Sequence, residues 1–65
     1  MAELEAAVGK GSRVALTRRG TEYVVVARAL RTEGRVERFV GRLPVTGEEL
    51  EFKLSELDSF QVLGG

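Results

Sequence analysis

Three groups of residues in this 65-residue chain have the types that chemistry requires. The first is the acidic cluster Glu48, Glu49 and Glu51, since neighbouring carboxylates can serve as general acid and base. Strand alternation would send Glu49 and Glu51 to the solvent face, where charged side chains discourage edge-to-edge aggregation. The second is Gly9-Lys10-Gly11-Ser12, which has the look of a phosphate-cradling loop. It follows a helical stretch instead of a strand, and residues 1–8 contain no upstream glycine, so the segment reads as a hinge. The third is a set of arginines, with Arg28, Arg31, Arg35, Arg38 and Arg42 in one stretch and Arg18 and Arg19 just before it. Planar guanidinium groups make bidentate and stacked contacts that lysine cannot. On a curved strand face they suit phosphate contacts and base stacking. Only Tyr23 and Phe39 supply rings nearby, and the core claims both. The competing role for the arginines is pairing with Glu22, Glu33, Glu37 and the acidic residues 48–51.

Composition narrows the chemistry further. The chain has no cysteine and no histidine, so disulfides, thiolate metal sites and imidazole acid–base chemistry have no residues to use. No catalytic residue, metal ligand or cofactor is expected, and a barrel this small would fill its interior with its own side chains. Ten basic and ten acidic residues give a net charge of zero, so no overall field steers the chain to nucleic acid or membrane. No stretch approaches the roughly 20 apolar residues of a membrane span, and the first ten residues lack a signal-like apolar run. A cytoplasmic protein that stays off membranes is the expectation.

The elements that would position the arginines can be read from periodicity. Residues 1–9 predict a short helix in which Leu4, Ala7 and Val8 share a face at i, i+3 and i+4. So short a helix must dock to persist. Five strands are expected between residues 12 and 63, with residues 64–65 as a mobile tail. Residues 12–19 alternate with Val14 and Leu16 inward. Residues 22–31 and 35–43 make a long bent hairpin in which Gly41 marks a bend or bulge. In residues 49–54, Leu50, Phe52 and Leu54 face in. Residues 55–58 form one helical turn with Ser55 or Asp58 to cap it, and Phe60 and Val62 point inward from the last strand.

Two registers of the hairpin compete. A three-residue loop, Thr32-Glu33-Gly34, puts Ala27 opposite Phe39 and Tyr23, Val25, Ala27 and Ala29 on the core face. It also places Arg28 opposite Arg38, an unfavourable like-charge pair. A two-residue Glu33-Gly34 turn slips the pairing by one, so Val24, Val26 and Leu30 join Phe39 inside. The three-residue loop is slightly favoured. It leaves Val24, Val26, Arg28, Val36, Arg38, Val40 and Arg42 together as a candidate interaction face. That valine stripe is either covered by the N-terminal helix through Leu4 and Val8 or exposed as a protein interface.

One short helix and five strands in so short a chain predict a mainly β domain, a small five-stranded bent-sheet barrel. In this order of elements the chain resembles the small Src-homology-3-like barrels and the Sm and Hfq group of RNA-binding barrels. The resemblance is one of architecture. The Asp-Gly that follows the first Sm strand stands here as Arg19-Gly20, and the Asp-Asn pair is missing between Glu22 and Pro44. Lys53-Leu54-Ser55-Glu56 does not match the basic-aromatic signature of Hfq, so no binding residue carries over. The expected function is a non-catalytic interaction module that self-associates or docks on a protein partner. The alternative is a small RNA- or DNA-binding barrel that uses the hairpin arginines. A chain of 65 residues buries only about 60% of its unfolded surface, which favours self-association.

Overall fold

The computed structural model describes residues 2–64. It holds a helix, α1 (Ala2–Lys10), and five strands: β1 (Arg13–Arg18), β2 (Thr21–Glu33), β3 (Val36–Arg42), β4 (Glu49–Lys53) and β5 (Leu57–Gly64). A 3₁₀ turn at Leu54–Glu56 separates the last two strands. All pairings are antiparallel within one sheet of order β4-β3-β2-β1-β5, so β4 and β5 are its edges. Gly64 belongs to β5 instead of to a mobile tail, and Gly65 lies outside the described residues. The turn before β5 takes no side-chain cap. Asp58, one of its two expected caps, accepts a hydrogen bond from the Gly20 backbone N at 3.2 Å, tying β5 to the β1–β2 turn.

The segment expected to act as a hinge is a fixed helix stop. Gly11 has φ +64, its N–H donates to the Val8 carbonyl, and the Ser12 N–H donates to the Ala7 carbonyl. That is the Schellman arrangement, which satisfies the last carbonyls of a helix and needs a left-handed residue at its turn. Ser12 is itself buried, and its carbonyl accepts from Ala27 N at 2.8 Å. The helix exit is thereby bonded to the middle of β2. Leu4 and Ala7 are buried as their spacing requires, and Val8 is partly buried beside them.

One core cluster joins Leu4 and Ala7 to Val14, Leu16, Val25, Ala27, Phe39 and Phe52. Tyr23, Leu43, Leu50, Leu54, Leu57 and Val62 pack against it, half-buried. Phe60 departs from the expectation. It lies opposite the buried Leu16 but stays 36% exposed, bordering the open groove that it lines with Leu54 and Leu57.

Neither expected register of the hairpin holds throughout. The turn is Gly34-Arg35, with Glu33 opposite Val36 and Leu30 opposite Phe39. Gly34, at φ +62, takes the first of the two turn positions, as glycine does in a type II′ turn. Arg38 therefore faces Arg31, not Arg28. The pairing then shifts between Ala27↔Gly41 and Ala29↔Val40, leaving Arg28 as the extra residue of a β-bulge. Parity flips across that bulge. Before it Val25 and Ala27 face the core, as the three-residue loop implied; after it Leu30 does, as the two-residue turn implied.

The β1–β2 turn carries strain that a substitution can remove. Arg19 sits at φ 51 and Gly20 at φ 80, both positive, which is the type I′ pattern that favours Asn-Gly. A left-handed conformation costs a residue with an ordinary side chain about 1–2 kcal/mol. Arg19→Asn gives up a 4.0 Å contact with Glu56 made by a side chain that is 80% exposed, a small loss. The variant is expected to be more stable by about 0.5–1 kcal/mol, seen as a higher midpoint in thermal melts. An unchanged or lower midpoint would show that the Glu56 contact outweighs the strain.

Candidate interaction face

The sheet has an inner face, covered by α1 and the core, and an outer face. Register assigns Val24 and Val26 of β2 and Val36, Arg38, Val40 and Arg42 of β3 to the outer face. Arg28 projects to the same side from the bulge, since its Nε lies 3.5 Å from Glu49 on the outer side of β4. The seven residues singled out from sequence thus share one face, with Val24 beside Ala15 of β1 at one end and Val36 beside Glu33 at the hairpin tip. The helix does not cover them, because Leu4 and Ala7 are spent on Val14, Val25 and the rest of the inner cluster. Val24 and Val36 are exposed, Val26 is half-buried, and Val40 is buried.

Two of the arginines are held in ion pairs. Arg38 Nη1 donates to Glu51 Oε1 at 2.9 Å, and its Nε lies 3.6 Å from Glu33 Oε1. The hydrogen bond to Glu51 raises the Arg38 pKa above its ordinary value against a desolvation cost, and the fields of Glu51 and Glu33 add to the rise. The shift reinforces the charge that an arginine carries at all ordinary pH values. The Arg28–Glu49 pair joins β2 to β4 across the intervening β3. Glu49 and Glu51 are therefore partners of arginine, not a pair of carboxylates facing each other.

The remaining charges on this face are unequal. Arg13, Arg31, Arg42 and Lys53 share it, and among the described residues none has a carboxylate in ion-pair contact. Glu22 is the one acid there outside the ion pairs above. A chain of zero net charge thus turns a basic face outward, and its balancing acids, such as Glu3, Glu5 and Glu56, lie elsewhere.

The rings all belong to the other side. Tyr23 and Phe52 meet edge to face at 5.3 Å, and the Arg18 guanidinium covers them at 5.6 and 5.2 Å from the ring centroids. This cation–π cap closes one end of the core, a role for Arg18 that periodicity did not show. Apolar grooves also lie off the outer face: one of about 290 Å³ runs between α1 and β5, and one of about 390 Å³ is lined by Leu54, Leu57 and Phe60. Among the described residues, no helix is long and apolar enough to cross a membrane.

Comparison of the chain with protein-family models, with curated proteins and with solved structures returned no match.

Proposed function

We propose that this chain is a non-catalytic interaction module that self-associates or docks on a protein partner through Val24, Val26, Arg28, Val36, Arg38, Val40 and Arg42. One observation carries the reading: α1 is spent on the inner face, and two valines of the outer face, Val24 and Val36, stay 40% and 37% exposed. Apolar surface rimmed by polar groups is the usual mark of a protein interface. The open sheet is read as a half-open barrel of the Src-homology-3-like or Sm-like kind. The strand order and the packing of the 3₁₀ turn back against β3 support this. A cytoplasmic setting and the absence of any cofactor belong to the same reading.

Size exclusion with light scattering, from nanomolar to high micromolar protein, tests it. The wild type is expected to gain mass with concentration and to melt higher as it does so, since an oligomer's stability depends on protomer concentration. Val24→Lys with Val36→Lys should abolish both effects without changing the circular dichroism of the monomer. Association that survives this double substitution would sink the assignment of the face. A second reading, an RNA- or DNA-binding barrel, draws on the excess of bases on the same face. Its test is fluorescence anisotropy with labelled single-stranded and duplex oligonucleotides at low salt, where phosphate contacts are strongest. Arg38→Glu should weaken such binding alike for all sequences.

A further inference from the structure

We infer that the partner of this face is an acidic, leucine- or valine-bearing protein segment, an inference that rests on the interaction-module reading and names the chemistry of the partner. Charge is the first ground. Arg31 and Arg42 stand on the outer face with no ion-pair partner among the described residues, whereas Arg28 and Arg38 are already engaged. The face is therefore basic after its internal pairs are counted, although the chain is neutral. Carboxylates suit it because arginine binds them bidentately. Apolar surface is the second ground. Val24 and Val36 are 40% and 37% exposed at opposite ends of the face, so an extended partner gains by bringing apolar side chains between its acids.

The same geometry disfavours nucleic acid. Single-stranded nucleic acid stacks its bases on aromatic side chains, and Tyr23, Phe39 and Phe52 are all on the inner side. The ion-paired Glu33, Glu49 and Glu51 break the basic surface into separate patches, and Glu22 adds an unpaired negative charge, so discrete carboxylates can be placed where a continuous phosphate backbone cannot. A protein segment can match a mosaic of both signs; a polyanion of uniform charge cannot.

The probes are a soluble peptide in which glutamates are spaced by leucines, a matched peptide with serine for each leucine, and a single-stranded oligonucleotide. Anisotropy titrations at low salt with the wild-type protein are expected to rank them in that order. The leucine peptide should bind about tenfold more tightly than its serine counterpart, and its affinity should fall as salt rises. Arg31→Glu with Arg42→Glu should weaken the leucine peptide by about tenfold or more. Lys10→Glu, on the exposed side of α1, should leave it unchanged, and melting curves confirm that the variants fold. No binding of the leucine peptide, tighter binding of the oligonucleotide, or an equal loss in Lys10→Glu overturns the inference. The interaction-module reading fails separately, only if the Val24 and Val36 substitutions leave self-association intact.

Discussion

Phe52→Ala is expected to cost about 3–5 kcal/mol, the usual range for a buried phenylalanine reduced to alanine. Phe52 is 1% exposed and lies opposite Phe39, itself fully buried, at the β3–β4 pairing. Its ring also meets Tyr23 edge to face and carries the Arg18 guanidinium, so truncation removes ring contacts on several sides at once. Domains are stable by only about 5–15 kcal/mol, and one this short stands near the bottom of that scale. Urea denaturation followed by circular dichroism should show the variant largely unfolded, or with a midpoint far below wild type. A variant that unfolds at the wild-type midpoint would mean that the inward face of β4 has been misassigned.

Gly41→Ala is expected to destabilise as well, for the opposite reason. Gly41 is buried on the core side of β3, between Ala27 and Leu50 in the register. A Cβ built there collides with Val25 Cγ2, lies 2.7 Å from Val25 Cβ and comes 3.4 Å from the Phe39 ring. The closest of these atoms sit near the β2 backbone, so the strands themselves must separate. Overpacking of this kind costs about 1–3 kcal/mol and at times more. Val25→Ala removes the colliding Cγ2 while Cβ stays, so it relieves the overpacking in part. The double variant Gly41→Ala, Val25→Ala should therefore be more stable than the two single losses added together, with a coupling of about 0.5–3 kcal/mol. Strict additivity in a double-mutant cycle would show that Gly41 tolerates a side chain by some other movement.

The two glycines of the hairpin show how far local pattern reaches. That Gly34 lies in the turn and that Gly41 marks a bend or bulge are both legible, the bulge falling on β2 opposite Gly41 and Val40. The pairing between them is not. Residues 22–31 admit two parities, and each is correct on one side of Arg28. The bulge that reconciles them depends on remote contacts: the hydrogen bond from Ala27 N to the Ser12 carbonyl and the closeness of Gly41 to Val25. Alternation of side chains carries no trace of either. The same holds for Phe60, whose inward parity is legible but whose exposure depends on what the tertiary structure packs over it: Phe52, on the other edge strand, is 1% exposed, and Phe60 is 36% exposed.

Of the candidate face, residue types and parity were readable, and charge was not. Composition alone determined that this chain has no thiol or imidazole chemistry and that its net charge is zero. Short-range periodicity determined one helix with a Leu4–Ala7–Val8 stripe and five strands. Tertiary structure decided that the stripe packs on the inner face, which leaves Val24 and Val36 uncovered on the outer one. It also decided that Glu33, Glu49 and Glu51 neutralise Arg28 and Arg38 while Arg31 and Arg42 stay outside those pairs. The physical reason is range. Side-chain alternation is set by each residue's own backbone, whereas ion pairs and buried contacts join residues that are distant in sequence and meet only once the sheet has its register.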